Sequence, residues 1–199
     1  MSGTGFEVAG IDLSLTSTGI ARACWDPADM LFAASPILMW PFVRRIQSKG
    51  AKDATLTERQ ARLADISGQV TDEVDGADLV VIEGPSYGSN TGSQHDRSGL
   101  WWSVVSNLIE HGQAVIEVSP HQRQQYATGR GNASKDQVLA AAIKRYPLWD
   151  ITGNDIADAV ILTAIGARAV GRALEDSLPQ THLRALDKLR IPTLGRTPA

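Results

Sequence analysis

The chain opens on an apolar run with alternating character, "FEVAGID" at residues 6–12, which predicts a β-strand. A turn rich in hydroxyls follows (Ser14, Thr16, Ser17, Thr18), and "GIARACW" at 19–25 predicts the hairpin partner. A third strand is expected within 30–42, in "MLFAA" or "ILMWPF", where Pro36 and Pro41 blur its limits. The period then changes. Leu63, Ile66, Val70 and Val74 recur at spacings of three and four, which predicts a helix over 57–75, opened by a Thr57–Gln60 capping box. "ADLVVIE" at 77–83 is a short apolar run stopped by Gly84-Pro85, the pattern of a central strand. A polar loop, "GPSYGSNTGSQ", leads to a helix expected over 96–112, and "QAVIEVS" at 113–119 predicts a fifth strand. Ser134 and Gln137 form a second capping box for a helix reaching Arg145. Asn154 is expected to cap a long apolar helix ending near Leu174. Three strands, then helix and strand in alternation, predict an α/β fold with a mixed five-stranded sheet flanked by helices. Residues 1–174 read as one domain, and the proline-bearing tail, 175–199, as a loosely packed extension.

Composition changes this picture little. With 199 residues, 43% hydrophobic and 21% charged, the chain can bury a substantial core and reads as an ordinary water-soluble protein. No apolar run approaches the roughly 18 residues of a membrane span. The N-terminus lacks the features of a signal peptide. Cys24 is the only cysteine, so no disulfide can close within the chain; a reducing, cytoplasmic setting is expected.

Charge adds more. The net charge is −3, which by itself argues against a nucleic-acid partner. Its distribution does not. Residues 1–120 carry a balance of −7, whereas 121–145 hold Arg123, Arg130, Lys135, Lys144 and Arg145 against Asp136 alone. A local basic surface attracts phosphates whatever the total, although a solvated basic face would look the same.

The candidate chemistry lies in four carboxylates. Asp12 ends the first strand, and Glu83 ends "DLVVIE". Asp155 and Asp158, in "GNDIADAV", share one face of the last helix by their i, i+3 spacing. Each acid has a plain explanation: acceptance of hydrogen bonds from the Ser/Thr turn for Asp12, a strand end for Glu83, the helix dipole for the pair. Massed together, however, they repel and call for cations, and oxygen-only ligands suit Mg²⁺ or Mn²⁺. That requires the first and fourth strands to be neighbours. Two such ions can stabilise the attacking and leaving oxygens of a phosphodiester. The four histidines, at 95, 111, 121 and 182, show no metal-ligand spacing.

Together, "GIDLSLTSTGIA", "LVVIEGPSYG", "GRGNASKDQV" and "NDIADAVILTAI" resemble, in order and spacing, the RuvC family of Holliday-junction resolvases within the RNase H-like nucleases. The resemblance covers roughly residues 6–170. It implies a divalent-metal endodeoxyribonuclease that works as a homodimer on four-way DNA junctions and makes paired nicks. It implies Asp12, Glu83, Asp155 and Asp158 as metal ligands for two Mg²⁺ ions, with Mn²⁺ able to substitute, and Lys135 as a catalytic, positively charged residue near the scissile phosphate. The family's upstream lysine has no counterpart here. The matching region reads "HQRQQ", where Arg123 is the nearest basic residue and can act only electrostatically. Arg123, Arg130, Lys135 and Tyr87 become the DNA contacts, Tyr87 as a base-stacking residue one position offset from the family's aromatic. The helix bearing Trp101 and Trp102 corresponds to the family's dimer helix, and branch-migration proteins are candidate further partners. Three alternatives stay open: a non-catalytic binding module that uses the basic stretch and does not require the acids, another RNase H-like nuclease acting on RNA–DNA hybrid or branched substrates, and an actin-like or sugar-kinase-like ATPase. The ATPase normally needs a repeated domain and a second Gly-rich motif, neither of which this sequence shows.

Overall fold

A computed structural model describes residues 5–25, 38–85 and 93–194. Strands β1 (Phe6–Asp12), β2 (Ser17–Trp25) and β3 (Leu38–Gln47) form an antiparallel meander. Helix α1 (Leu56–Glu73) leads to β4 (Leu79–Glu83), which lies parallel to β1. Helix α2 (Gln94–Glu110) leads to β5 (Ala114–Val118), parallel to β4. The sheet is therefore mixed and five-stranded, as the pattern predicted, and its strand order is β3-β2-β1-β4-β5. Helices α3 (Pro120–Thr128), α4 (Lys135–Arg145), α5 (Asn154–Ala169) and the short α6 (Gln180–Leu183) complete the described chain.

Alternation along the strands sorts side chains to two faces. Phe6, Val8, Leu79, Val81, Ile116 and Val118 join α3, α4 and α5 in one core. Ala9, Ile11, Ile20, Val80 and Ile82 face α1 and α2 in the other. Helix α5 is buried along nearly its whole length, from Ile156 to Ala167, which explains its apolar composition. Two strand glycines let it lie close to the sheet. A Cβ on Gly10 would come within 2.3 Å of the Ala159 carbonyl, and one on Gly19 within 2.1 Å of the Asp155 carbonyl.

Several boundaries differ from expectation, each for a local reason. Helix α1 has its capping box two residues earlier: Thr55 and Glu58, not Thr57 and Gln60, close it. The two frames overlap, and the winning one places a carboxylate at the helix N-terminus, where the dipole favours it. Strand β3 runs on to Gln47; its Pro41 is tolerated because β3 is an edge strand. "MLFAA" lies outside the described residues. Helix α3 was not anticipated, because its nine residues are mostly polar, yet Ser119 and Gln122 form a full capping box with Pro120 at the first helical position. Gly153, not Asn154, occupies the N-cap of α5. The same helix ends at Ala169 rather than near Leu174, because Gly171 turns at φ +77° and the Arg172 N–H returns to the Ala167 carbonyl. The tail does not pack loosely over its described part. Ala185 is buried, Leu178, Leu186, Leu189 and Leu194 rest on the core, and Gln122 donates to the Ala185 carbonyl at 3.1 Å.

Candidate active site

Strand parity places the first two acids together. Asp12 follows Phe6, Val8 and Gly10 on the α5 face, and Glu83 follows Leu79 and Val81 on the same face. Ile11 pairs with Ile82, so Asp12 and Glu83 are the next positions along two adjacent parallel strands, at their carboxyl ends. Ligands of open α/β sheets sit at such ends. The Trp101 indole N–H donates to the Glu83 carbonyl at 2.9 Å and ties the end of β4 to α2. From the other side, α5 delivers Asp155, in its first turn, and Asp158, three residues further on. The four carboxylates, expected together from sequence, thus meet in one place.

Their partners were not foreseen. The Arg45 guanidinium, from β3, grips Asp155 through both oxygens, at 2.6 and 2.7 Å, and the Ser17 hydroxyl donates to the same carboxylate at 2.6 Å. Arg123, from α3, donates its Nε–H to Glu83 and an Nη1–H to Asp158. It is only 6% exposed. Sequence reading made Arg123 a phosphate contact; the structure instead encloses it among the acids. The turn's hydroxyls are spent on one another and on Asp155: Thr18 donates to the Ser14 carbonyl at 2.9 Å and accepts from the Ser14 N–H at 3.1 Å. The plain reading of Asp12, as an acceptor for that turn, therefore loses its donors. Among the described residues Asp12 alone of the four acids makes no ion pair with an arginine.

The electrostatics follow from this crowding. Burial pushes the Asp12 carboxyl up to about 8, and the charges of Asp158 and Glu83 push the same way. Burial pushes Asp158 up to about 7; Arg123 pulls against it and Glu83 adds to it. Burial would raise Asp155 too, but the hydrogen bonds from Arg45 and Ser17 outweigh it and hold that carboxyl below its usual range.

A cavity lined by Asp12, Ser17, Arg45, Lys135, Asp155 and Asp158 opens beside the cluster. Lys135 is exposed at the first helical position of α4, close enough for its charge to act on Asp158. Asn154 also lines this cavity, and its Oδ1 is buried with no hydrogen-bond partner. A second cleft, on the α2 side of Asp12 and Glu83, is walled by Leu13, Pro85, Arg97 and Trp101. Arg130 is exposed and lines a different groove, with Gln137, Arg145 and His182. Tyr87 lies outside the described residues. Arg45, Ser17 and Trp101 were missed as site residues. For Arg45 the only signal was its parity with Val43 on β3, which places it on the α5 face.

The donor set suits a hard divalent cation, being all oxygen and unable to stay fully ionised in an enclosed space unaided. Among the described residues, however, no group of three or more His, Cys, Asp or Glu side chains is arranged as it stands to hold a metal ion. The guanidinium of Arg123 takes up part of that role.

No protein-family model and no curated protein sequence matches the chain. Solved structures do. The chain is similar to Thermus thermophilus RuvC, alone and in complex with a Holliday junction substrate, at 20% identity and TM-score 0.60, covering 84% of this chain and 98% of that one. It is similar to the fowlpox virus resolvase in complex with Holliday junction DNA, at 13% identity and TM-score 0.54, covering 83% and 99%. It is also similar to the yeast mitochondrial Holliday junction resolvase Ydc2, at 16% identity and TM-score 0.50, covering 80% and 77%. The fold is that of these resolvases, as the sequence resemblance implied. No helix of the described residues is long and apolar enough to cross a membrane.

Proposed function

We propose that this chain is a metal-dependent endodeoxyribonuclease that resolves four-way DNA junctions by paired nicks. The observation that carries the reading is the meeting of Asp12 and Glu83, at the ends of adjacent parallel strands, with Asp158 and Asp155 from α5, on a resolvase fold. Asp12, Glu83 and Asp158 would hold the divalent cation, Mg²⁺ with Mn²⁺ as a substitute. When bound, that cation supplies charge stabilisation at the scissile phosphate. Asp155 holds the α5 end in place through Arg45 and Ser17. Lys135 projects from the N-terminus of α4 into the same cavity, where it orients the phosphate and opposes the charge that develops on it. Arg130, from its separate groove, contacts the DNA farther from the reacting bond, and Tyr87 is the proposed base-stacking residue.

The dimer that paired nicking requires is supported by the α2 surface. Leu100, Val104 and Leu108 are buried, whereas Trp102 and Ile109, seven residues apart, are 62% and 59% exposed. Helix α2 thus has an apolar face left over after core packing, suited to a second copy of the chain.

The test is cleavage of a labelled four-way junction with Mg²⁺ or Mn²⁺, beside linear duplex and an RNA–DNA hybrid. Paired symmetric nicks in the junction are expected. Asp12→Asn should lower the rate by at least roughly 100-fold, equivalent to about 2.7 kcal/mol of barrier, with junction binding retained. Cleavage of the hybrid alone would keep the metal chemistry and replace the substrate.

A further inference from the structure

We infer that Arg123 is a built-in counter-cation that takes the place of one divalent ion, so that the acidic cluster binds a single metal ion rather than two. The inference rests on the nuclease reading for its substrate but on this chain's own side chains for its content. Arg123 bridges Glu83 and Asp158, the acids contributed by the sheet and by α5. A guanidinium cannot lose its proton in a protein, so it cannot vacate the cluster by becoming neutral.

Its delivery is rigid. Helix α3 begins two residues after β5, is capped at both ends by Ser119 and Gly129, and is held from outside by the Gln122 bond to the tail. The Arg123 N–H itself donates to the Ser119 carbonyl at 3.0 Å, so the residue sits in the first turn of an anchored helix.

Charge and oxygen bookkeeping both point to one ion. Four ionised carboxylates against Arg45 and Arg123 leave two negative charges, the complement of one divalent cation. A second ion would leave an enclosed excess of positive charge, with Lys135 adding to it. Asp155 is also spent: Oδ2 accepts from Arg45 and Ser17, and Oδ1 from Arg45 and the Ile156 N–H. Arg123 uses Glu83 Oε2 and Asp158 Oδ1. That leaves Asp12, Glu83 Oε1 and Asp158 Oδ2 as the donors for one ion.

The experiment counts ions on the full chain by titrating Mn²⁺ and following the free ion by electron paramagnetic resonance. Asp12→Asn serves as the blank for binding elsewhere on the surface. The wild type should take one Mn²⁺ above that blank, and Arg123→Lys, which keeps the charge, should also take one. Arg123→Met should take two, or bind its single ion at least about tenfold more tightly once the positive charge is gone. Two ions on the wild type, none at all, or an Arg123→Met protein with unchanged number and affinity would overturn the inference. If circular dichroism shows Arg123→Met to be unfolded, the counts on the wild type and on Arg123→Lys decide. Failure of the nuclease reading shows separately, as a chain that takes one Mn²⁺ in this pattern and nicks no branched DNA.

Discussion

At Asp12 the site's character reduces to one unfavourable placement. A carboxylate beside three others, in an enclosed position, holds its proton to about pH 8. Asp158, with about 7, shifts the same way. A carboxyl whose folded value is raised binds more protons folded than unfolded over this interval, so stability falls as pH rises. The metal-free chain should therefore lose melting temperature progressively between about pH 4, the unfolded value, and pH 8. Asp155 shifts the opposite way, but its contribution changes only in more acidic solution and leaves this window untouched. Asp12→Asn removes the buried charge, so it should flatten the profile and melt higher than wild type at pH 8. Differential scanning calorimetry in the presence of a chelator checks this, and a wild-type profile that rises from pH 5 to 8 would sink it. The same substitution that stabilises the fold is the one expected to remove cleavage, which separates a functional acid from a structural one.

Elements matter here through how closely they approach. Helix α5 can bring Asp155 and Asp158 to the strand ends only because β1 and β2 present glycine beneath it. At Gly19 an added methyl would meet the Asp155 carbonyl at 2.1 Å, a contact with backbone that no side-chain rotation relieves. Gly19→Ala should push the start of α5 off the sheet and destabilise the chain by roughly 1–3 kcal/mol, the usual range for overpacking. It should also slow junction cleavage, although Gly19 carries no chemistry. Chemical denaturation and the cleavage assay, read together, test this; a variant with wild-type stability and rate would show that α5 is not seated as described. Helix α3 teaches a related point. Its hydrophobic signal is weak, and its presence is written mainly in the Ser119–Gln122 capping pair, yet it carries the arginine that bridges Glu83 and Asp158.

For the whole molecule, the issue is how many copies act. Among its described residues one chain brings one such acidic cluster, whereas paired nicks on a two-fold junction need two. Trp102→Glu should turn a dimer into a monomer in sedimentation equilibrium and should uncouple the two nicks, so that singly nicked junctions accumulate. Trp102 packs edge-on against Trp101 at 4.9 Å between ring centres but is itself mostly exposed, so the fold should survive the change. An unchanged sedimentation mass would remove α2 from the interface.

The sequence alone determined the five strands, the mixed sheet, and the placement of Asp12 and Glu83 at strand ends, because apolar runs and the turn residues that stop them are local signals. It also determined the i, i+3 pairing of Asp155 with Asp158, for the same reason on a helix. What it could not determine was who neutralises those acids. Arg45 and Asp155 are 110 residues apart, and Arg123 stands 40 and 35 residues from Glu83 and Asp158. Periodicity tells which way a side chain faces, but the choice of a partner at such separations depends on how helices seat against the sheet. Only that packing turned a basic residue read as a surface contact into the cation at the centre of the cluster.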